Sequence, residues 1–332
     1  MKTSFFALLI LFSTSIFAQA KYSTVSENFI TYHENIAAAE RMYKNDSLLQ
    51  AYAKFDIAIN DYKGTINPGH YFRAALCAIK IKEEFKALHF LEKAIINGYE
   101  IDSAKKDAVV FYNQNTKKEY VDNIAKWEET RDAAKDFDWT NELYAANDAN
   151  KKYTAVKYTS AVDYCTSCMK NKACSKTAQE YVSKYRLVKE KMKADSVSAA
   201  TLLAKIQING FPSMKKLSKT ACGIAKNILL NYDADKKNER LDGLLYKALL
   251  EGNISPEFYA TLVDRRNLMS GEVPEFYQPL TGYEKTIGKE VGVANKKRRS
   301  IGLYPIKIVS TAAPKTKDPN ASKKVDDGLY DY

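Results

Sequence analysis

Ala51-Tyr52-Ala53-Lys54-Phe55-Asp56-Ile57-Ala58-Ile59 and Ala87-Leu88-His89-Phe90-Leu91-Glu92-Lys93-Ala94-Ile95 are two versions of one pattern, 36 positions apart. In each, a small residue (Ala51, Ala87) is followed four positions on by a large apolar one (Phe55, Leu91), then by Ala58-Ile59 or Ala94-Ile95. Gaps of three and four bring these side chains onto one face of an α-helix. Twelve residues upstream, Ala39 and Ala75 repeat the correspondence. A gap of twelve is long enough to cross a turn, so these alanines belong to a preceding helix, at a height where two helices approach closely. The spacing predicts helix–turn–helix units within residues 26 to 98.

Such a unit resembles the tetratricopeptide repeat, whose usual period of about 34 is stretched here by the linker Tyr62 to Gly69. The glycine usual near the first turn is absent. The resemblance implies paired helices that stack and offer a groove to peptides or partner proteins. Two units fall short of the three or so that a solenoid needs, so they are expected to lean on the helices that follow.

The rest of the composition agrees with helices. Of 332 residues only 13 are Gly and 8 Pro, which fits long helices better than a turn-rich sheet sandwich. The expected fold class is all-α, a tetratricopeptide-like helix-pair array over 21–138 followed by a helical domain over 139–309. Residues 310–332, rich in Pro, Lys, Asp and Ser with almost nothing apolar before Leu329, are expected to form a disordered tail.

Residues 1–20 form an address. Lys2, the apolar run Phe5 to Phe17 broken only by Ser13, Thr14 and Ser15, and the small residues of Ala18-Gln19-Ala20 are the parts of a secretory signal peptide. The mature chain is expected to begin near Lys21, exported to the periplasm or beyond. No second apolar stretch approaches the roughly 20 residues that span a bilayer, so no transmembrane segment is expected.

The formal net charge is +11, a balance that could serve nucleic acid, anionic lipid or acidic polysaccharide. Acids nevertheless interleave with bases almost everywhere, as in Lys80 to Lys86 and Lys189 to Lys193, which is the pattern of solvated helix faces. No nucleic-acid partner is expected. The one dense basic cluster is Lys296-Lys297-Arg298-Arg299.

Between residues 100 and 138 the helical period weakens but persists through Val109, Val110, Tyr112, Tyr120, Ile124 and Trp127, predicting one or two packing helices. Helices are then expected near 139–158, 175–194, 196–209, 214–232, 238–251 and 255–270. Asp195 or Ser196, Ser213 and Ser255 are plausible N-caps, with Pro256 in a first turn where its missing N–H costs nothing. Residues 271–292 read as a loop.

Five stretches in this half carry a second resemblance. They are Asn209-Gly210-Phe211-Pro212, Leu229 to Asp235, Leu244 to Ala248, Ser255 to Arg265, and Arg298-Arg299-Ser300-Ile301-Gly302-Leu303. In this order they resemble the bacterial family catalogued as domain of unknown function 6624, whose early Asp-Gln and Met-x-x-Asp elements are echoed by Asp148-Ala149 and Met192 to Asp195. Departures are specific. Phe211 stands where the family has Trp, Asp233 where it has His, Ala149 where it has Gln, and Tyr277-Gln278-Pro279-Leu280 where it has Tyr-Gly-Thr-Gln. The resemblance implies a helical domain and no particular reaction.

Candidate chemistry lies in a few residues. Asp264 and Arg265 follow an apolar face of Phe258, Leu262 and Val263, and such a pair can fix a loop or grip an anion. Asp148, Asp195, Asp233 and Asp235 could gather for Ca²⁺ or acid–base work, but no Asp-x-Asp-x-Asp-Gly loop is present. The speculative ligand-binding set is therefore Asp148, Asp195, Asp235, Asp264 and Arg265. His33, His70 and His89 all lie in the repeat region, which leaves the second half without the commonest general base. No Gly-rich phosphate loop, His-Glu-x-x-His or Gly-x-Ser-x-Gly occurs. No catalytic residue, cofactor or metal is assigned. A binding or scaffolding role with a protein or peptide partner is expected, the alternative being a hydrolase built on carboxylates and Arg265.

Five cysteines remain. Cys77 and Cys222 sit on apolar helix faces and read as core. Cys165, Cys168 and Cys174 form a cluster whose plain reading in an oxidising compartment is one disulfide, Cys165–Cys174 or Cys168–Cys174. Against the zinc and redox readings stand the missing fourth ligand and the missing strand-then-helix frame.

Overall fold

The two repeat units turn in the same way. Helix α1 (28–44) ends with Asp46 N–H donating to Tyr43 C=O at 3.0 Å and Ser47 N–H to Met42 C=O at 2.9 Å. After α3 (Pro68–Lys80), Lys82 N–H donates to Ile79 C=O at 3.1 Å and Glu83 N–H to Ala78 C=O at 2.9 Å. Every one of these atoms has its counterpart 36 residues away. Asp46 and Lys82 both take positive φ, 58° and 66°, the left-handed residue that ends a helix and reverses the chain. The chain then enters α2 (Leu48–Asp61) and α4 (Glu84–Ile96).

The computed structural model describes residues 28–101, 110–111, 117–153, 178–232, 240–269, 272–278 and 291–306. Residues 1–20, read above as a signal, Asp233, Asp235, the cluster Cys165, Cys168 and Cys174, and residues 310–332 lie outside them. The described residues are helical with no strand, and the chain is all-α as its composition implies. None of these helices is long and apolar enough to cross a membrane.

All ten residues of the repeat pattern are buried, most of them completely. Helix α3 packs against both α2 and α4, with Ala75 and Ala87 fully buried. Each large member of the pattern contributes about 1.5–3 kcal/mol by leaving water, and the alanines permit the close approach. Loop 62–67 follows α2, and Asn67 Oδ1 caps α3 by accepting from Gly69 N–H at 2.8 Å.

Helices α5 (Lys117–Ala133) and α6 (Phe137–Lys151) continue the packing. Tyr120 and Ile124 are buried on α5 and Trp139 and Leu143 on α6, while Asp136 caps α6 through Trp139 N–H at 2.8 Å. Then comes α7 (Ala178–Asn209), one unbroken helix where two were expected. Asp195 and Ser196 do not cap a new helix, because both are satisfied within this one. Asp195 pairs with Lys191 at 2.9 Å, and Ser196 Oγ donates to Met192 C=O at 2.9 Å. Residues 213–217 form a separate turn, so α8 (Lys219–Tyr232) is capped by Ser218 Oγ, which accepts from Ala221 N–H, rather than by Ser213. Helix α8 packs on α6 and α7.

The last helices are α9 (Arg240–Leu250), α10 (Pro256–Met269) and α11 (Val291–Ser300). Ser255 caps α10 as expected, its Oγ accepting from Phe258 N–H at 3.2 Å.

One apolar core runs from Phe29 to Leu303, so the repeat helices bury their flanks on the later ones. The seam is fixed by backbone contacts. Thr65 N–H donates to Glu251 C=O at 2.7 Å, and Tyr62 Oη donates to Leu250 C=O at 3.0 Å. Two glycines make the approach possible. A Cβ on Gly252, at φ +74°, would sit 2.2 Å from Thr65 C=O, and one on Gly98, at φ +107°, 2.2 Å from Met214 C=O.

Candidate functional site

Asp264 is the buried centre of the second half. Its apolar neighbours on α10 draw it inside, where only 1% of it is exposed. There Oδ1 accepts from Glu275 N–H at 2.7 Å and Phe276 N–H at 2.8 Å, and Oδ2 from Gln278 N–H at 2.5 Å. Burial pushes the carboxyl above the ordinary Asp range, and the three backbone amides pull it back.

Arg298 closes the same loop from α11. It is 4% exposed, with Nε donating to Tyr304 C=O at 2.6 Å and Nη1 to Phe276 C=O at 2.6 Å and Gln278 Oε1 at 3.4 Å. Burial lowers its pKa, while Glu257 and Asp264 oppose the shift. Three of the compared stretches, at 264–265, 277–278 and 298–303, thus converge on one knot of backbone hydrogen bonds. In sequence Arg298 is one member of a basic cluster. Only its buried side-chain environment sets it apart from Lys296, Lys297 and Arg299, which are exposed.

The other candidates stand apart from this knot. Arg265 Nη2 reaches Asn231 Oδ1 at 3.5 Å. Asp148 is exposed on α6 and pairs with Lys151 at 2.7 Å. Asp195 is buried on α7 beside Lys191. Among the described residues, no group of three or more His, Cys, Asp or Glu is disposed to hold a metal ion. Cys77 and Cys222 are buried free thiols, pushed up to about 12 and about 11 by burial. That keeps both in the unreactive thiol form at neutral pH.

A second constellation lies on α1 and α3, around Tyr43. The Arg73 guanidinium stands over the Tyr43 ring at 5.0 Å and Lys80 Nζ at 4.9 Å, and Lys80 also donates to Tyr43 Oη at 3.3 Å. Arg73 Nε lies 3.7 Å from Glu40, the buried acid beneath. Burial raises the Glu40 pKa, with Arg73 and then Lys44 acting against it. Beside them Arg41 covers the Tyr304 ring at 5.2 Å. The Tyr304 hydroxyl is buried with no hydrogen-bond partner among the described residues, and its pKa is pushed up to about 12 by burial.

Four cations thus surround two tyrosines and a single buried carboxylate. Arg41, Lys44 and Lys80 are exposed. Such a face suits acidic side chains, through charge and through hydrogen bonds that are stronger for carboxylates than for neutral acceptors. In the sequence these residues are separated by acids and apolar positions, so the patch emerges only when α1 and α3 lie side by side. Compared with known proteins, the chain matches no family model, no curated protein and no solved structure.

Proposed function

We infer that this chain is an exported helical binding protein whose first helix pairs offer the Tyr43 face to an acidic segment of a protein or peptide partner. The observation that carries the reading is the gathering of Arg41, Lys44, Arg73 and Lys80 around Tyr43, Tyr304 and the buried Glu40. Support comes from the 36-residue repeat and its resemblance to the tetratricopeptide unit, which uses paired helices for binding. The resemblance of residues 139–309 to an uncharacterised bacterial family adds a helical support and no reaction. Export rests on the signal pattern in residues 1–20. The cysteine cluster enters as one stapling disulfide between Cys174 and either Cys165 or Cys168.

The hydrolase alternative is weakened by a specific observation. Asp264, one of the candidate carboxylates, accepts from three backbone amides through its two oxygens, which makes it a loop anchor.

Titration calorimetry of the chain from Lys21 onward with a hexaglutamate peptide tests the proposed function, with hexaglutamine as control. Binding of the acidic peptide alone, weakened roughly tenfold or more by Lys44→Glu with Lys80→Glu and by raised salt, is the expected result. Equal binding of both peptides, or binding of neither, would overturn it.

A further inference from the structure

The described chain ends on the face just proposed. Tyr304 lies under Arg41, Ile306 N–H donates to Asn295 Oδ1 at 2.6 Å, and residues 307–332 start from there. Those residues change sign along their length. From 307 to 325 they hold Lys307, Lys315, Lys317, Lys323 and Lys324 against Asp318 alone, and from 326 to 332 they hold Asp326, Asp327 and Asp331 with Leu329, Tyr330 and Tyr332 and no base.

The two parts should behave differently near the Tyr43 face. Its cations repel the lysine-rich part and attract the acidic, tyrosine-bearing part. The tether is long enough, since twenty residues can span up to ~70 Å. A tethered segment also meets its site at high effective concentration, so weak contacts suffice. The tyrosines add rings on which Arg41, Lys44 and Lys80 can stack, as Arg73 and Lys80 already do on Tyr43.

We propose that Asp326-Asp327-Gly328-Leu329-Tyr330-Asp331 of this chain docks on its own Tyr43 face and covers it until an acidic segment of a partner displaces it. This rests on the binding reading above and adds an internal competitor to it. A second copy's tail is the rival occupant, because the same charges would serve between chains.

Two measurements on the full chain test the proposal. Carbodiimide coupling at low micromolar concentration, followed by peptide mapping of the monomer band, should join Asp326, Asp327 or Asp331 to Lys44 or Lys80. These links should vanish in the Lys44→Glu, Lys80→Glu variant. In calorimetry, the Asp326→Asn, Asp327→Asn, Asp331→Asn variant should bind hexaglutamate roughly threefold tighter or more, because the site is no longer shared with the tail. Links confined to the dimer band, or spread evenly over all lysines, would overturn docking within one chain. Unchanged hexaglutamate affinity in the tail variant would remove the tail as competitor while the face itself stands. Absence of hexaglutamate binding to either protein would remove the face as well.

Discussion

Lys82, at φ 66°, pays a local strain that its neighbours impose. A non-glycine residue in the left-handed region costs about 1–2 kcal/mol, and glycine there loses part of that gain to its freer unfolded chain. Lys82→Gly should therefore raise stability by about 0.5–1 kcal/mol, read as a higher urea midpoint at unchanged slope. A lower midpoint would show that Lys82 contributes something beyond its turn.

Histidine sets a pH limit at the same scale. His70 Nδ1 is 2.6 Å from Tyr32 Oη, and His33 packs against Phe29 at 4.4 Å, with Gly302 close enough that a Cβ there would lie 3.1 Å from the His33 ring. Burial drives both pKa values down to about 3, aided at His33 by His70 and at His70 by Arg73. Between about 6.5 and about 3 the unfolded chain holds protons that the folded chain refuses. This stability is full above about 6.5 and is lost as pH falls, by up to about 1.4 kcal/mol per pH unit for each histidine. Urea midpoints at pH 7.5, 6 and 5 should fall in that order, and His70→Gln should flatten the decline.

At the scale of elements, the contact between α3 and α4 carries the repeat. Ala87 is fully buried on α4, and α4 packs along α3, where Ala75 is equally buried. Ala87→Leu should overpack the contact and cost about 1–3 kcal/mol, visible as a lower melting temperature. An unchanged value would mean that the alanine spacing does not mark a close crossing. Element boundaries were less legible than element faces. Asp195-Ser196 resembles a cap because Asp and Ser favour caps, yet both can also bond within a helix, and Lys191 four residues earlier decides for the helix. Ser213 and Ser218 look alike as caps because either serine could precede the apolar run of α8, and only the turn at 213–217 separates them.

For the whole molecule, the seam between the repeat helices and the last helices is a place where backbones approach too closely for a side chain. Gly252→Ala would place a methyl against the Thr65 carbonyl and strain a positive φ, so it should cost about 2 kcal/mol or more. Because one core joins both sides of the seam, calorimetry of this variant should show a single transition at lower temperature. Two separated transitions would instead mean that the sides unfold independently.

The helical class and the buried stripe of each repeat were legible in the sequence alone, because they rest on three- and four-residue spacings within single helices and on a 36-residue echo that any fold must honour. The role of Arg298 among four adjacent bases, the capture of Asp264 by the amides of 275–278, and the assembly of Arg41, Lys44, Arg73 and Lys80 around Tyr43 were decided only by tertiary structure. Their partners lie on different elements, and charge or polarity along one segment carries no information about which distant backbone will arrive beside it. The Tyr62 hydrogen bond to Leu250 reaches across 188 residues in the same way. Local periodicity is written in neighbouring side chains, whereas a site is written in the meeting of surfaces that form only when the core closes.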